Sequence, residues 1–306
     1  MSGPKMLFHR DFLGYTGGHG KVWNYFNHAL ALGWDARVHL TAASLRDASN
    51  PWMAVPERIE PQWRPDQADM LFLAGMDWEA WPPGPGRERK PTVALVQHVR
   101  HADPALPLYR FLQRPAWRIC VSQAVADAIA GTGQVQGPVQ VIPAALDLPA
   151  GIPHREAGRA VFIGALKAPQ LGVELAARLR DRGCRVVLSE GWLPRSEYLA
   201  QLARAAVAVP LPHPTEGFFL PGLEAMALGC PLVMPDCRGN GEYAMDDGNC
   251  LMPAAEPEAL AAAVERLLAD PALAARLVVA GQETAARYSL ATEREAFAAL
   301  LDRLWP

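Results

Sequence analysis

The feature that most constrains this chain is a repeated alternation of short apolar runs with amphipathic, helix-forming segments. In the first half the apolar runs lie at residues 5–9, 36–40, 69–75, 92–97, 117–121 and 139–142. Apolar residues recur at helical spacing over 22–30, Gly33 is placed to end that helix, and Ser122 can cap a helix that ends near Gly131. Strands that alternate with helices form a parallel, doubly wound sheet, so the first half predicts a Rossmann-like α/β domain.

The same alternation restarts after a proline- and glycine-rich stretch at 143–159, which predicts an interdomain linker. Predicted strands follow at 160–164, 184–189, 206–211 and 231–235. Predicted helices lie at 172–183, 195–204, 218–228, 256–269, 271–287 and 290–304. A length of 306 residues also suits two domains. We therefore predict two Rossmann-like domains, 1–150 and 151–306, with a terminal helix that could pack back on the first.

The net charge and the cysteine content limit which classes of protein this chain can belong to. The net charge of −3 lacks the basic excess of a nucleic-acid binder, so no nucleic-acid partner is expected. The five cysteines include no Cys-x-x-Cys pair, which predicts buried free thiols in a reducing compartment. Neither a signal-peptide pattern nor an apolar run long enough to span a membrane occurs. We expect a cytoplasmic protein, and peripheral contact with the inner face of the membrane stays open.

A glycine-rich segment, GYTGGHG at 14–20, follows the first predicted strand and precedes the first predicted helix. Free backbone N–H groups and the helix dipole converge at such a place and favour an anion. The segment is not a Walker A motif, because Tyr15 stands where that motif has a glycine, and it is not Gly-x-Gly-x-x-Gly. Two interpretations stay open: a plain tight turn, or contact of Gly17 or Gly18 with a phosphate or substrate.

Two histidines, His98 and His101, follow the predicted strand at 92–97. The carboxyl ends of parallel strands line the ligand crevice of such sheets. His98 is therefore a candidate site residue, although a lone histidine at this place is more often structural.

Two glutamates, Glu216 and Glu224, stand eight positions apart. Gly217 and Pro221 fit a turn that leads into a helix with proline in its first turn. Glu216 then lies in the loop and Glu224 two turns into the helix, and we expect both at open positions outside the core. Two carboxylates beside free backbone N–H groups suit a polyhydroxylated ligand that carries a phosphate. The alternative is a pair of solvated acids that flank a core helix.

These glutamates, with Phe218, Ala225, Gly229 and Pro231, resemble the E-x7-E signature of retaining GT-B glycosyltransferases, especially family 4. The segment GNGEYAMDDGNCLMP resembles the one that normally follows that signature. Less specific similarities occur in the family's order along the chain: the glycine-rich first turn, VSQAVADAI, and VIPAALD before the linker.

The resemblance implies a cleft between two domains, with a nucleotide-sugar donor on the C-terminal domain and the acceptor on the N-terminal domain. It places Glu216 at the donor sugar as a catalytic residue, with His98 as the matching histidine, and assigns the donor ribose to Glu224. It brings Gly17 or Gly18 close to the diphosphate or the acceptor. Backbone groups of the turn would hold the sugar hydroxyls or the phosphate, namely those of Gly217, Phe218, Phe219 and Leu220.

The resemblance also points to the end of the strand at 160–164, where it makes Gly164 a donor-binding residue. Members of the family usually carry an arginine directly after its final glycine and a lysine a few residues on. Here Gly164 is followed by Ala165, Leu166 and Lys167, so Lys167 is the cation expected on the diphosphate. No metal and no other cofactor are expected, since the family needs none and no Asp-x-Asp motif occurs.

The sequence therefore predicts a metal-independent, hexosyltransferase-like enzyme of polysaccharide biosynthesis. It would move a sugar from a nucleotide-sugar donor to a glycan, lipid-linked or small-molecule acceptor, with retention of configuration as the resemblance implies. Two alternatives stay open. One is a nucleotide-sugar epimerase of the same fold. The other is a catalytically silent subunit that binds a nucleotide sugar or a partner, which the missing arginine after Gly164 favours.

Overall fold

The computed structural model describes residues 3–149 and 160–305, which divide into two compact units. The first unit is Met1–Ala144 with Leu290–Pro306, and the second is Ala145–Ser289. The division falls a few residues before the boundary drawn from the sequence at 150. Of the predicted linker, 150–159 lies outside the described residues. Leu146 N donates to Tyr288 O at 2.8 Å, so the start of that stretch is bonded into the second unit.

The first unit is built on a seven-stranded parallel sheet. Its strands are β1 (Lys5–Arg10), β2 (Asp35–Leu40), β3 (Ile59–Glu60), β4 (Met70–Ala74), β5 (Thr92–Val96), β6 (Trp117–Cys120) and β7 (Val139–Val141). Their order is β3-β2-β1-β4-β5-β6-β7, which reverses between β1 and β4 as in a doubly wound sheet. The six predicted strands are confirmed. The two-residue β3 was not predicted, because it is too short to carry a hydrophobic pattern.

Two α-helices connect strands of this sheet, α1 (Gly17–Ala31) and α2 (Gln123–Ala130). The chain between β4 and β6 forms short 3₁₀-helices instead. The turn predicted at 14–20 is shorter than expected, because α1 already begins at Gly17. Thr16 caps the helix by accepting a hydrogen bond from His19 N at 3.3 Å, so backbone as far as Gly20 is helical.

The second unit contains a smaller parallel sheet formed by β8 (Ala160–Gly164), β9 (Arg185–Ser189) and β10 (Val207–Pro210), in the order β10-β8-β9. Its helices are α3 (Pro169–Asp181), α4 (Arg195–Arg204), α5 (Leu220–Ala227), α6 (Pro257–Ala269) and α7 (Pro271–Ala286). The predicted strand at 231–235 is wrong as a regular strand. Leu232 and Val233 make single bridges, to Ala208 and Leu251 respectively, which continue the sheet for only one residue pair each.

The last helix, α8 (Leu290–Leu304), belongs to the first unit. Each unit has its own apolar core. In the second unit, buried side chains of β8 and β10 pack against those of α3, α6 and α7. In the first, Leu71, Leu73 and Ala94 of the sheet pack against Trp78 and Trp81. Loops extend from the carboxyl edges of both sheets.

Candidate active site

Glu216 and Lys167 lie together at the carboxyl edge of the second sheet. Lys167 follows β8 and Glu216 follows β10, and these two strands are parallel neighbours, so their ends meet at one edge. Lys167 Nζ lies 3.3 Å from Glu216 Oε1. The carboxylate side chain is only 14% exposed, whereas the lysine side chain is 52% exposed. This edge thus carries a cation that reaches solvent and a carboxylate that is held beside it.

The turn from Gly217 to Leu220 leads from Glu216 into α5. Phe218 and Phe219 are buried, and the Phe218 ring packs against those of Tyr243 and Tyr288. A ligand at this turn would therefore meet the backbone of these two residues rather than their side chains. Leu220 N donates to Phe218 O at 3.2 Å, so this N–H already has an acceptor within the turn.

Gly239 and Tyr243 both contact the turn from Gly217 to Leu220. A Cβ atom on Gly239 would lie 2.5 Å from both Gly217 C and Phe218 N, which leaves no room for any side chain. The Tyr243 hydroxyl donates a hydrogen bond to Phe219 O. Burial raises the pKa of Tyr243 well above its usual value, so the hydroxyl stays protonated and available as a donor.

Asn240 organises the neighbouring loop. Its side chain is fully buried, accepts from Cys237 N at 3.0 Å and donates to Pro235 O at 3.0 Å. Burial raises the pKa of Cys237 to about 11, so this thiol is a packed, protonated group rather than a nucleophile. All five cysteines are free, as the sequence predicted.

Glu224 occupies a different environment from the one predicted. It is one turn into α5 rather than two, since the helix begins at Leu220, and it is only 2% exposed. The expected open position is therefore wrong. Glu224 Oε1 lies 2.6 Å from Arg195 Nη1, so the carboxylate is buried as half of an ion pair.

Arg195 was missed by sequence reasoning. It is the first residue of α4, and its Nη2 donates to Asp147 O at 2.6 Å while Nη1 binds Glu224. Its side chain is 25% exposed. No signal in the sequence links positions 29 residues apart on separate helices. The arginine that the family usually carries after Gly164 is absent here. A different arginine, Arg195, forms an ion pair with the second glutamate, Glu224.

Tyr198 lies near this ion pair and packs against Gly164. A Cβ atom on Gly164 would contact Tyr198 Cε2 at 3.4 Å, so the end of β8 packs on the tyrosine ring. Burial raises the pKa of Tyr198 well above its usual value, and the Glu224 carboxylate nearby raises it further. Gly164 is therefore a packing position against Tyr198, and the Tyr198 hydroxyl lies within the electrostatic influence of Glu224.

In the first unit the glycine-rich segment lies beside the end of β5. Gln97 Nε2 donates to Gly18 O at 3.2 Å, so the start of α1, with Gly17 and Gly18, is tied to the residue before His98. The His98 side chain accepts from Arg100 N at 3.1 Å through Nδ1, which caps the 3₁₀-turn that follows. When the ring is neutral, its proton is therefore on Nε2.

Two further histidines of this unit are kept neutral. Burial lowers the pKa of His101 to about 4, and the charges of neighbouring bases add to the effect. Burial also lowers the pKa of His19 to about 4, helped by Arg10, whose Nη2 lies 3.0 Å from the ring Nδ1. Near neutral pH both rings are uncharged.

The described ranges, 3–149 and 160–305, lack both a metal-binding cluster and a membrane-spanning helix. They contain no group of three or more His, Cys, Asp or Glu side chains that could hold a metal ion. Within those same ranges, every helix is too short or too polar to cross a bilayer.

Part of the chain matches known glycosyltransferases in sequence. Residues 147–270 match the family model of glycosyl transferases group 1. A stretch of 105 residues is 40% identical to glycogen synthase of Mycobacterium tuberculosis. That stretch makes up 34% of this chain and 25% of the synthase, so the chain matches about a quarter of the length of this relative.

The whole chain resembles solved structures in fold. Sucrose-phosphate synthase from Thermosynechococcus elongatus is 16% identical over 99% of both chains, with a TM-score of 0.70. HepE from Anabaena, solved in complex with UDP-glucose, is 16% identical over 98% of this chain and 100% of its own, with a TM-score of 0.74. The chain has the GT-B fold. This confirms the fold class predicted from the sequence, with two Rossmann-like units.

Proposed function

We propose that this chain is a glycosyltransferase that moves a sugar from a nucleotide-sugar donor to a glycan, lipid-linked or small-molecule acceptor, with retention. The observation that carries the proposal is the Lys167–Glu216 pair at the carboxyl edge of the second sheet, directly before the N-terminus of α5. The match of residues 147–270 to group 1 glycosyl transferases supports it. The complex of HepE with UDP-glucose makes a UDP-sugar the first donor to test.

The chemistry follows from the charges that glycosyl transfer creates. Cleavage between the anomeric carbon and the diphosphate places positive charge on the sugar and negative charge on the leaving phosphate. The exposed ammonium of Lys167 and the N-terminus of α5 would stabilise the phosphate. Glu216, a carboxylate held close to that ammonium, would stabilise the sugar as it becomes cationic. No protein nucleophile is required.

Glu224 would accept hydrogen bonds from the donor ribose while it stays paired with Arg195. The resemblance assigns ribose hydroxyls to this carboxylate, and Arg195 fixes its orientation at 2.6 Å. A buried carboxylate whose rotamer is already fixed loses little conformational entropy when a ligand binds. His98 retains the role at the donor sugar that the resemblance implies, and Gly17 or Gly18 the contact with diphosphate or acceptor.

The test is release of nucleoside diphosphate from a panel of nucleotide sugars, with and without candidate acceptors. Glu216→Gln should lower kcat by at least tenfold with little change in donor KM, because its interaction develops mainly in the transition state. Glu283→Gln, at an exposed position of α7, is the matched control and should leave turnover unchanged. Turnover should also persist in EDTA, since we propose that no metal takes part.

Three outcomes would contradict the proposal. Binding of nucleotide sugars without any turnover would favour a silent subunit. A changed sugar without release of nucleoside diphosphate would favour an epimerase. Equal activity of wild type and Glu216→Gln would remove the carboxylate from the mechanism.

A further inference from the structure

A cavity of about 780 Å³ in the first unit is not used by the proposed reaction. Its walls are the segment after β4 and the segment before β6, and it falls within the size range of small-molecule sites. Arg87 and Arg114 lie a few residues before the starts of β5 and β6. Gly18 and Gln97 instead follow the carboxyl ends of β1 and β5. The cavity is therefore separate from these two residues.

Three arginines of the cavity wall stack on aromatic rings. The guanidinium carbon of Arg87 lies 4.5 Å from the centre of the Trp81 ring, and that of Arg114 lies 5.2 Å from Trp78. Arg110 lies 5.0 Å from the Phe111 ring in the same way. Stacking holds a guanidinium plane in one orientation while its N–H donors stay at the edge, free of the ring.

The wall that carries Arg114 is itself rigid. Arg118 on β6 is buried, and its Nη2 donates to Phe111 O, Leu112 O and Arg114 O at 3.1, 2.7 and 2.6 Å. Arg114 Nη2 in turn donates to Trp81 O at 2.7 Å, which joins the two walls. Arg87 is also held, since its Nη1 donates to Pro82 O at 3.0 Å, so Arg87 and Arg114 are positioned before any ligand arrives and a ligand would pay little for ordering them.

The cavity wall carries three arginines, Arg87, Arg110 and Arg114, and two glutamates, Glu79 and Glu88, so its net charge favours an anion. Burial lowers the pKa of Arg114, and repulsion from Arg87 lowers it further, so these two cations are close together. Neither makes an ion pair with a carboxylate among the described residues. Arg110 does, with Glu79 at 2.6 Å, but both partners are more than half exposed and the pair is readily exchanged.

We propose that this cavity binds a phosphate monoester on a body the size of a sugar. A dianion with three equivalent oxygens can accept from several guanidinium edges at once, whereas a carboxylate is matched by a single arginine. The two tryptophan rings are buried behind their guanidiniums, at 4% and 2% exposure for Trp78 and Trp81, so an uncharged ligand has little aromatic surface to contact.

Calorimetry with ribose 5-phosphate tests the proposal, with ribose as the neutral control and gluconate as the carboxylate control. We expect the phosphate to bind most tightly. Arg87→Gln and Arg114→Gln should each weaken binding at least tenfold, and Glu79→Gln should strengthen it by releasing Arg110. Arg46→Gln, at an exposed arginine outside the cavity, and Lys167→Ala should leave binding unchanged.

The outcomes that overturn the proposal are distinct. Absence of binding at millimolar ribose 5-phosphate excludes the ligand class. Tighter binding of gluconate excludes the phosphate assignment, and loss of binding in Lys167→Ala but not in Arg87→Gln moves the ligand to the second unit. If Arg114→Gln fails to fold, Arg87→Gln and Glu79→Gln decide the question. None of these results depends on glycosyl transfer.

Discussion

Lys167, which the resemblance assigns to the donor diphosphate, lies at the carboxyl edge of the second sheet. It is 52% exposed and lies 3.3 Å from Glu216, where a donor diphosphate would find an accessible cation. Lys167→Ala should weaken nucleoside diphosphate binding by about 1–3 kcal/mol, the scale of a charge-assisted hydrogen bond. Calorimetry with UDP measures this, with Arg180→Ala on α3 as an exposed control in the same unit. Unchanged affinity in a folded Lys167 variant would reject the role.

The Arg195–Glu224 pair makes a second prediction at this scale. Because the carboxylate is buried, removing either partner leaves a charge without its counterion, so Glu224→Gln and Arg195→Gln should both lower the free energy of unfolding. The double variant should lose less than the sum, with a coupling of about 1–3 kcal/mol. Urea denaturation gives all four values. Arg204→Gln, at the exposed end of α4, should not couple to Glu224→Gln. If the losses of unfolding free energy caused by Glu224→Gln and Arg195→Gln were strictly additive, that result would contradict the ion pair.

At the scale of elements, α8 is joined to α1 by buried charges. Glu293 of α8 lies 2.6 Å from Lys21 Nζ and 2.9 Å from His28 Nε2, and all three side chains are buried. Phe297 of α8 adds an edge-to-face contact with Tyr25, with ring centres 5.0 Å apart. These contacts explain why the chain terminus belongs to the first unit.

This arrangement predicts a large loss of stability on removal of one carboxylate. Glu293→Ala should lower the free energy of unfolding by about 3–5 kcal/mol, because it removes the carboxylate that pairs with the buried Lys21 ammonium and accepts a contact from the His28 ring. Glu295→Ala on the exposed face of the same helix should have little effect. Both values come from urea denaturation monitored by tryptophan fluorescence. Equal losses in the two variants would show that the buried cluster contributes nothing beyond helix propensity.

At the scale of the whole molecule, three histidines among the described residues have lowered pKa values, and these three, His19, His39 and His101, lie in the first unit. His101 takes up a proton near pH 6.5 in the unfolded chain but only at about 4 when folded. Between these values the unfolded state binds more protons, so stability is fully present above pH 6.5 and falls as the pH is lowered towards 4. Acid should therefore weaken the first unit.

For His101 the expected loss between pH 7 and pH 5 is about 2 kcal/mol. His101→Gln should reduce the pH dependence of the unfolding free energy by that amount. Hydrogen exchange at the two pH values should show the loss of protection in the sheet of the first unit. An identical pH dependence in wild type and variant would contradict the prediction.

Local sequence determined the elements and their class. Apolar runs bounded by turn residues predicted the strands β1, β2 and β4 to β10 except for small shifts of their ends, because the hydrophobic pattern of a buried parallel strand is local. The cap at Ser122 was also predictable, since its hydroxyl accepts from Val125 N only three residues on. Glu216 and Lys167 were identified by the resemblance, and the pairing of β8 with β10 explains why they meet, since both lie in loops that follow the carboxyl ends of neighbouring parallel strands.

Tertiary structure decided what no local pattern carries. Glu224 became half of a buried ion pair because α4 delivers Arg195 from 29 positions away, and Glu293 meets Lys21 across 272 positions. The stacked arginines of the cavity likewise come from two separate connections of the first sheet. The sequence specified which side chains can carry charge. Only the packing of distant segments determined which of them are buried together, and burial sets both their pKa values and the strength of their pairing.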